Sequence, residues 1–129
     1  LDELRSIHLR KTAALIRASL LLGTELAGAS RAAVAQVARF GDVAGLAFQV
    51  VDDVLDVTAD AATLGKTQGK DADEMKVPYP AVMGLEAAQR EAGRLCDEAL
   101  GCLDAMSFPA AGDAAPLRAL TRFILERTS

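Results

Sequence analysis

Between Phe40 and Val57 the chain is apolar around nearly the whole circumference of a helix, through Val43, Leu46, Phe48, Val50, Val51, Val54 and Leu55. A helix of that kind is normally enclosed by neighbours, so the fold has to be built around it. The rest of the sequence supplies helices for that purpose. Of 129 residues, 51% are apolar, only 4% are aromatic and none is Trp. A composition rich in Ala and Leu and poor in aromatics favours packed helices over sheet, which makes the chain all-α. Its length is that of one compact unit.

Periodicity places the other elements. Leu4, His8, Lys11, Leu15 and Leu22 follow steps of three, four and seven, one stripe of a first helix ending near Gly23. After a turn at residues 28–30, with Ser30 as N-cap, the apolar helix runs from about Arg31 to Val57 with a break near Gly41. Residues 59–78 lose periodicity and gather glycines, lysines and acids, a long polar loop of the kind that often carries function. Pro80 fits the first turn of a third helix, in which Leu85, Ala88, Ala92, Leu95, Ala99 and Leu103 form the apolar row as far as Met106. Pro116 starts a last helix whose Leu117, Leu120, Phe123 and Ile124 face the core.

Charge and cysteine content narrow the partners. A net charge of -4 argues against a nucleic-acid surface, and an acidic chain needs a cation to hold an anionic ligand. Cys96 and Cys102 stand six residues apart on one helix and point in different directions, which reads as free thiols in a reducing cytosol. No run approaches the roughly 18 uninterrupted apolar residues of a membrane span, and the start has no secretory pattern. The expectation is a cytoplasmic protein without a membrane span. Leu1 already stands inside a helical pattern, so the chain reads as cut from something longer.

The chemistry concentrates at the end of the apolar helix. Asp52, Asp53 and Asp56 form DDVLD where the helix dipole is negative and acids at i and i+4 repel, so something cationic should compensate. Asp52 and Asp56 share a face beneath Phe48, and Asp53 stacks on Gln49. Hard carboxylate oxygens suit magnesium, which takes one or two carboxylates together with waters and phosphate oxygens. The plainer alternative is a solvated acidic helix end, which the surrounding apolar residues weigh against. Lys11, Lys66, Lys70 and Lys76 are the only lysines beside ten arginines, and three of them follow DDVLD. A compact ammonium suits a diphosphate oxygen, although for Lys70 a plain surface role is equally good. Gly65, Lys66 and Thr67 end like a phosphate-binding P-loop, but Asp60 stands where its first glycine belongs. Asp71 and Asp73 begin like a calcium loop that fails at Lys76, where glycine is required. His8 is the only histidine and reads as a packing residue.

HLRKTAALIRAS at 8–19, GLAFQVVDDVLDVTAD at 45–60, LGKTQGKD at 64–71 and KVPYPAVMGLE at 76–86 together resemble the trans-isoprenyl diphosphate synthase family, of the farnesyl and geranylgeranyl type. The resemblance implies the isoprenoid synthase α-helical bundle, of which residues 1–129 would be the C-terminal helices of a single domain whose N-terminal half is absent. It implies magnesium bound with the substrate diphosphate, and condensation of an allylic diphosphate with isopentenyl diphosphate. DDVLD resembles the second aspartate-rich motif, with Asp52 as direct metal ligand and Asp53 and Asp56 close by or acting through water. By the same resemblance Lys11, Thr12, Gln49 and Lys66 serve the chemistry, Phe48 walls the cavity, Lys76 contacts diphosphate, and Arg127 approaches the isopentenyl diphosphate.

The family pattern also has a first aspartate-rich motif, which this sequence lacks, together with the residues that set product length. The expectation is therefore half a site, inactive alone, that associates with the missing half or with itself; the family is typically homodimeric. A non-catalytic subunit of an active synthase is the alternative, and the retained lysines and aspartates argue against it.

Overall fold

The computed structural model describes residues 1–63, 77–107 and 113–127, with the backbone alone over 60–63. Among these residues every regular element is helical: α1 (Asp2–His8), a π-helical segment (Leu9–Ala13), α2 (Ala14–Leu26), α3 (Arg31–Thr63), α4 (Tyr79–Met83), α5 (Leu85–Asp104) and α6 (Ala115–Glu126). The apolar helix is α3, the axis on which the others pack, with α5 along one side and α2 along another. Ser30 caps it, its Oγ accepting the Ala33 N–H at 3.2 Å. Among the described residues α3 is also the one helix long and apolar enough to cross a membrane, over Arg31–Ala59. Its Phe40, Leu46, Val50 and Val54 are buried by the neighbouring helices instead.

Gly41 does not break α3. A Cβ there would lie 2.9 Å from the Arg17 Cα, and one on Gly45 would lie 2.5 Å from the Ala13 Cα. The two glycines let the α2 side approach α3 backbone to backbone, a distance no larger residue allows.

The first stripe is where periodicity fails. Leu15 and Leu22 are exposed, whereas the inward row runs Leu4, His8, Ala13, Ile16, Leu20 and Thr24. Its step from His8 to Ala13 is five residues, because the π-helical turn holds one residue more than an α-turn. Everything beyond Leu9 is thereby rotated relative to an ideal α-helix, and the helix continues past Gly23 to Leu26.

The row of α5 is as periodicity predicts, with Ala88, Ala92, Leu95, Ala99 and Leu103 buried. It does not start at Pro80, however, since Gly84 adopts φ +85° and separates α4 from α5, leaving Leu85 exposed. Both thiols are free, and burial pushes that of Cys96 up to about 11. On α6 the inward residues are Thr121 and Ile124, the Thr121 hydroxyl donating to the Leu117 carbonyl at 2.8 Å. Leu120 and Phe123 are 56% and 59% exposed and leave the core, contrary to expectation.

Candidate active site

α3 does not end near Val57 as expected but continues to Thr63, so DDVLD lies about two to three turns inside the helix, where its three aspartates differ in environment. Asp56 is exposed and Asp52 half-buried, while Asp53 is 0% exposed. A helix turns about 100° per residue, so Asp52 and Asp56 point within about 40° of each other and Asp53 stands to one side. Among the described residues no three His, Cys, Asp or Glu side chains come together as a metal cage. Two aspartates therefore share the outer face, and the third is turned into the protein.

Asp53 is held there by two distant segments. Its Oδ2 accepts the backbone N–H of Tyr79 at 3.0 Å and lies 3.4 Å from His8 Nε2. The His8 and Tyr79 rings meet with centroids 5.4 Å apart. Both side chains are buried, and burial raises the Tyr79 phenol above its ordinary range. His8 is thus a packed residue, as read, but its partner is a residue assigned to the metal. Sequence reasoning missed this cluster, because its members lie 26 and 45 positions from Asp53. The one available signal was that the only His and the only Tyr flank the motifs.

One turn earlier on the face of Asp53, Gln49 is buried and its Oε1 accepts the Thr12 hydroxyl at 2.7 Å. The π-helical segment makes this meeting possible. Its Ala13 sits against Gly45, which brings Thr12 to Gln49 one turn further along α3, and it leaves the neighbouring Lys11 exposed. Lys66 and Lys76, together with Lys70, lie outside the described residues.

Phe48 opens onto an apolar groove of about 500 Å³ between α2, α3 and α6, whose walls include Leu15, Ile16, Leu120, Phe123 and Ile124. Arg127 lies at one end of this groove. Its guanidinium carbon is 5.5 Å from the Phe48 ring centroid and its Nη2 is 3.9 Å from Asp52 Oδ1. The outer carboxylate and the apolar slot are therefore adjoining, linked by one arginine.

Residues 1–107 match the polyprenyl synthetase family model. The chain belongs to that family. It is 44% identical over 128 residues to the farnesyl diphosphate synthase of Escherichia coli, covering 98% of this chain and 42% of that protein. It is equally 44% identical over 127 residues to a chloroplastic geranylgeranyl pyrophosphate synthase of Capsicum annuum, covering 98% of this chain and 34% of the relative. A solved Helicobacter pylori geranyltransferase, complexed with magnesium and isoprenyl diphosphate, superposes with a TM-score of 0.66 at 35% identity, over 99% of this chain and 39% of that one. The helices described above are accordingly part of the all-α isoprenoid synthase bundle, and the chain spans well under half the length of these relatives.

Proposed function

We propose that this chain is the C-terminal portion of a trans-prenyltransferase of the geranyl, farnesyl or geranylgeranyl diphosphate synthase type, and that it holds the diphosphate end and part of the hydrocarbon of an allylic substrate. The observation that carries the reading is the meeting of two chemistries on one helix. Asp52 adjoins a groove walled by Phe48, Leu15 and Phe123, and a prenyl diphosphate has the same polarity, an anionic head on an apolar tail.

Asp52 and Asp56 would hold magnesium, since two hard carboxylates one turn apart suit an ion that keeps several waters. The bound ion supplies neutralisation of the charge that develops on the departing diphosphate. Lys11 adds a point charge to the same anion from the exposed side of the π-helical segment, and Lys66 and Lys76 are assigned the same task. Phe48 and the groove exclude water from the allylic cation. The part-buried Thr12–Gln49 pair fixes the polar group beneath the first carbons of the chain. The double bond of isopentenyl diphosphate then attacks the allylic carbon, and a proton leaves the condensed product.

The partners in this reading are the two diphosphates and the remainder of the synthase, or a second copy of the chain in a homodimer. The cytoplasmic location rests on composition. The chain is 44% identical to a farnesyl and to a geranylgeranyl synthase alike, so the proposal covers both products without choosing between them.

The test is an assay with an allylic diphosphate, isopentenyl diphosphate and magnesium, on the chain alone and mixed with the N-terminal part of the E. coli relative. The expected result is activity in the mixture only, lowered by a factor of about 100 or more by Asp52→Ala. A folded complex without activity would favour the non-catalytic subunit.

A further inference from the structure

We propose that Asp53, although it lies within DDVLD, is a positioning residue and not a metal ligand: it pins α1, just ahead of Lys11 and Thr12, and the start of α4 to the turn of α3 that carries Asp52. The inference rests on the reading of Asp52 given above.

Asp53 is fully buried and faces α1 and α4, not the side that Asp52 and Asp56 share. Its contact with Tyr79 answers a specific backbone need. Pro78 and Pro80 have no N–H, so the Tyr79 amide is the single backbone donor in Pro78-Tyr79-Pro80, and Asp53 Oδ2 accepts it at 3.0 Å. The same oxygen faces His8 Nε2 at 3.4 Å, and His8 precedes Lys11 and Thr12 by less than one turn and a half of helix. One carboxylate thereby joins both α1 and the start of α4 to α3.

A buried carboxylate is costly unless hydrogen-bonded, and an apolar residue of similar volume at this buried position would avoid that cost. What an apolar residue cannot do is fix the register of α1 and α4 against α3. Asp52 and Lys11 are then set to a common geometry through Asp53, which acts on the site by way of His8 and the Tyr79 backbone.

The experiment titrates the full 129-residue chain with magnesium pyrophosphate by calorimetry, at a temperature where circular dichroism shows each variant folded. Asp52→Asn, which removes a ligand charge, is expected to weaken binding about tenfold or more. Asp53→Asn keeps a carbonyl that accepts the Tyr79 N–H and should lose only about threefold. Asp53→Ala has no acceptor and should lose about tenfold. Asp53→Asn falling as far as Asp52→Asn would make Asp53 a ligand and overturn the proposal. A folded Asp53→Ala chain that binds as tightly as wild type would overturn it as well, by making the cluster a matter of stability alone. If Asp53→Ala does not fold, His8→Ala decides: a loss of about threefold or more supports positioning, and unchanged affinity refutes it. Wild-type chain that takes up no magnesium pyrophosphate, or Asp52→Asn binding like wild type, would instead remove the reading of Asp52 and the positioning role with it.

Discussion

The two sides of α3 differ in how far this chain completes them. Toward α5 the interface is closed. Leu46, Val50 and Val54 of α3 and Ala88, Leu95, Ala99 and Leu103 of α5 are all buried, alanines alternating with leucines so that the helices approach closely. Toward α2 and α6 the same helix meets an open groove, where Leu15 is 71% exposed and Leu120 and Phe123 are more than half exposed. The closed side does the work of folding. The open side leaves Leu15, Leu120 and Phe123 in water, and it is the side on which Asp52 and Arg127 stand.

The sharpest way to break this comparison is to truncate one residue on each side. Leu95→Ala on the closed side should cost about 2–5 kcal/mol in urea denaturation, the loss of a buried side chain plus the cavity left behind. A cost below about 1 kcal/mol would mean that the α3–α5 interface is not the core. Gly45→Ala comes next. Its Cβ would meet the backbone of Ala13, so α2 and the π-helical segment must move apart, at about 1–3 kcal/mol. Proton exchange at the Thr12 hydroxyl by NMR should speed up with it, because the Thr12–Gln49 bond depends on that approach.

A subtler effect belongs to pH. The Cys96 thiol, raised by burial from 9.0 to about 11, stays protonated in the fold while an unfolded chain ionises. Its contribution is fully present below pH 9.0 and is lost as pH rises toward about 11. Melting temperatures measured across that window should fall, and Cys96→Ala should flatten the slope. The smallest effect is on the open side. Leu120→Ser should alter stability by no more than about 0.5 kcal/mol, while it lowers self-association in sedimentation experiments. A large destabilisation by Leu120→Ser would show that the groove closes on itself in solution.

Some of this was legible in residue order. The all-round apolarity of residues 40–57 announced the central helix, and the spacing from Ala88 to Leu103 announced the face of α5, because both are local repeats of one geometry. Ser30 as a cap was equally local, a hydroxyl three residues before the amide it accepts. The first helix was misread because its inward row takes one step of five at the π-helical turn, and an unmarked change of period defeats any fixed repeat. Gly41 was misread as a break because its need for space is set by Arg17 on another helix.

The sequence by itself determined that the described elements are helices, that α3 is the central one, and that Asp52 and Asp56 share a face near Phe48, since each follows from the composition and the 100° turn of a helix. Only the tertiary structure decided which way Asp53 is turned and which apolar residues stay outside. Those outcomes depend on His8, Tyr79, Leu120 and Phe123 arriving from separate helices, and burial is a property of the neighbours that come to cover a residue, not of the residue's own place in the chain.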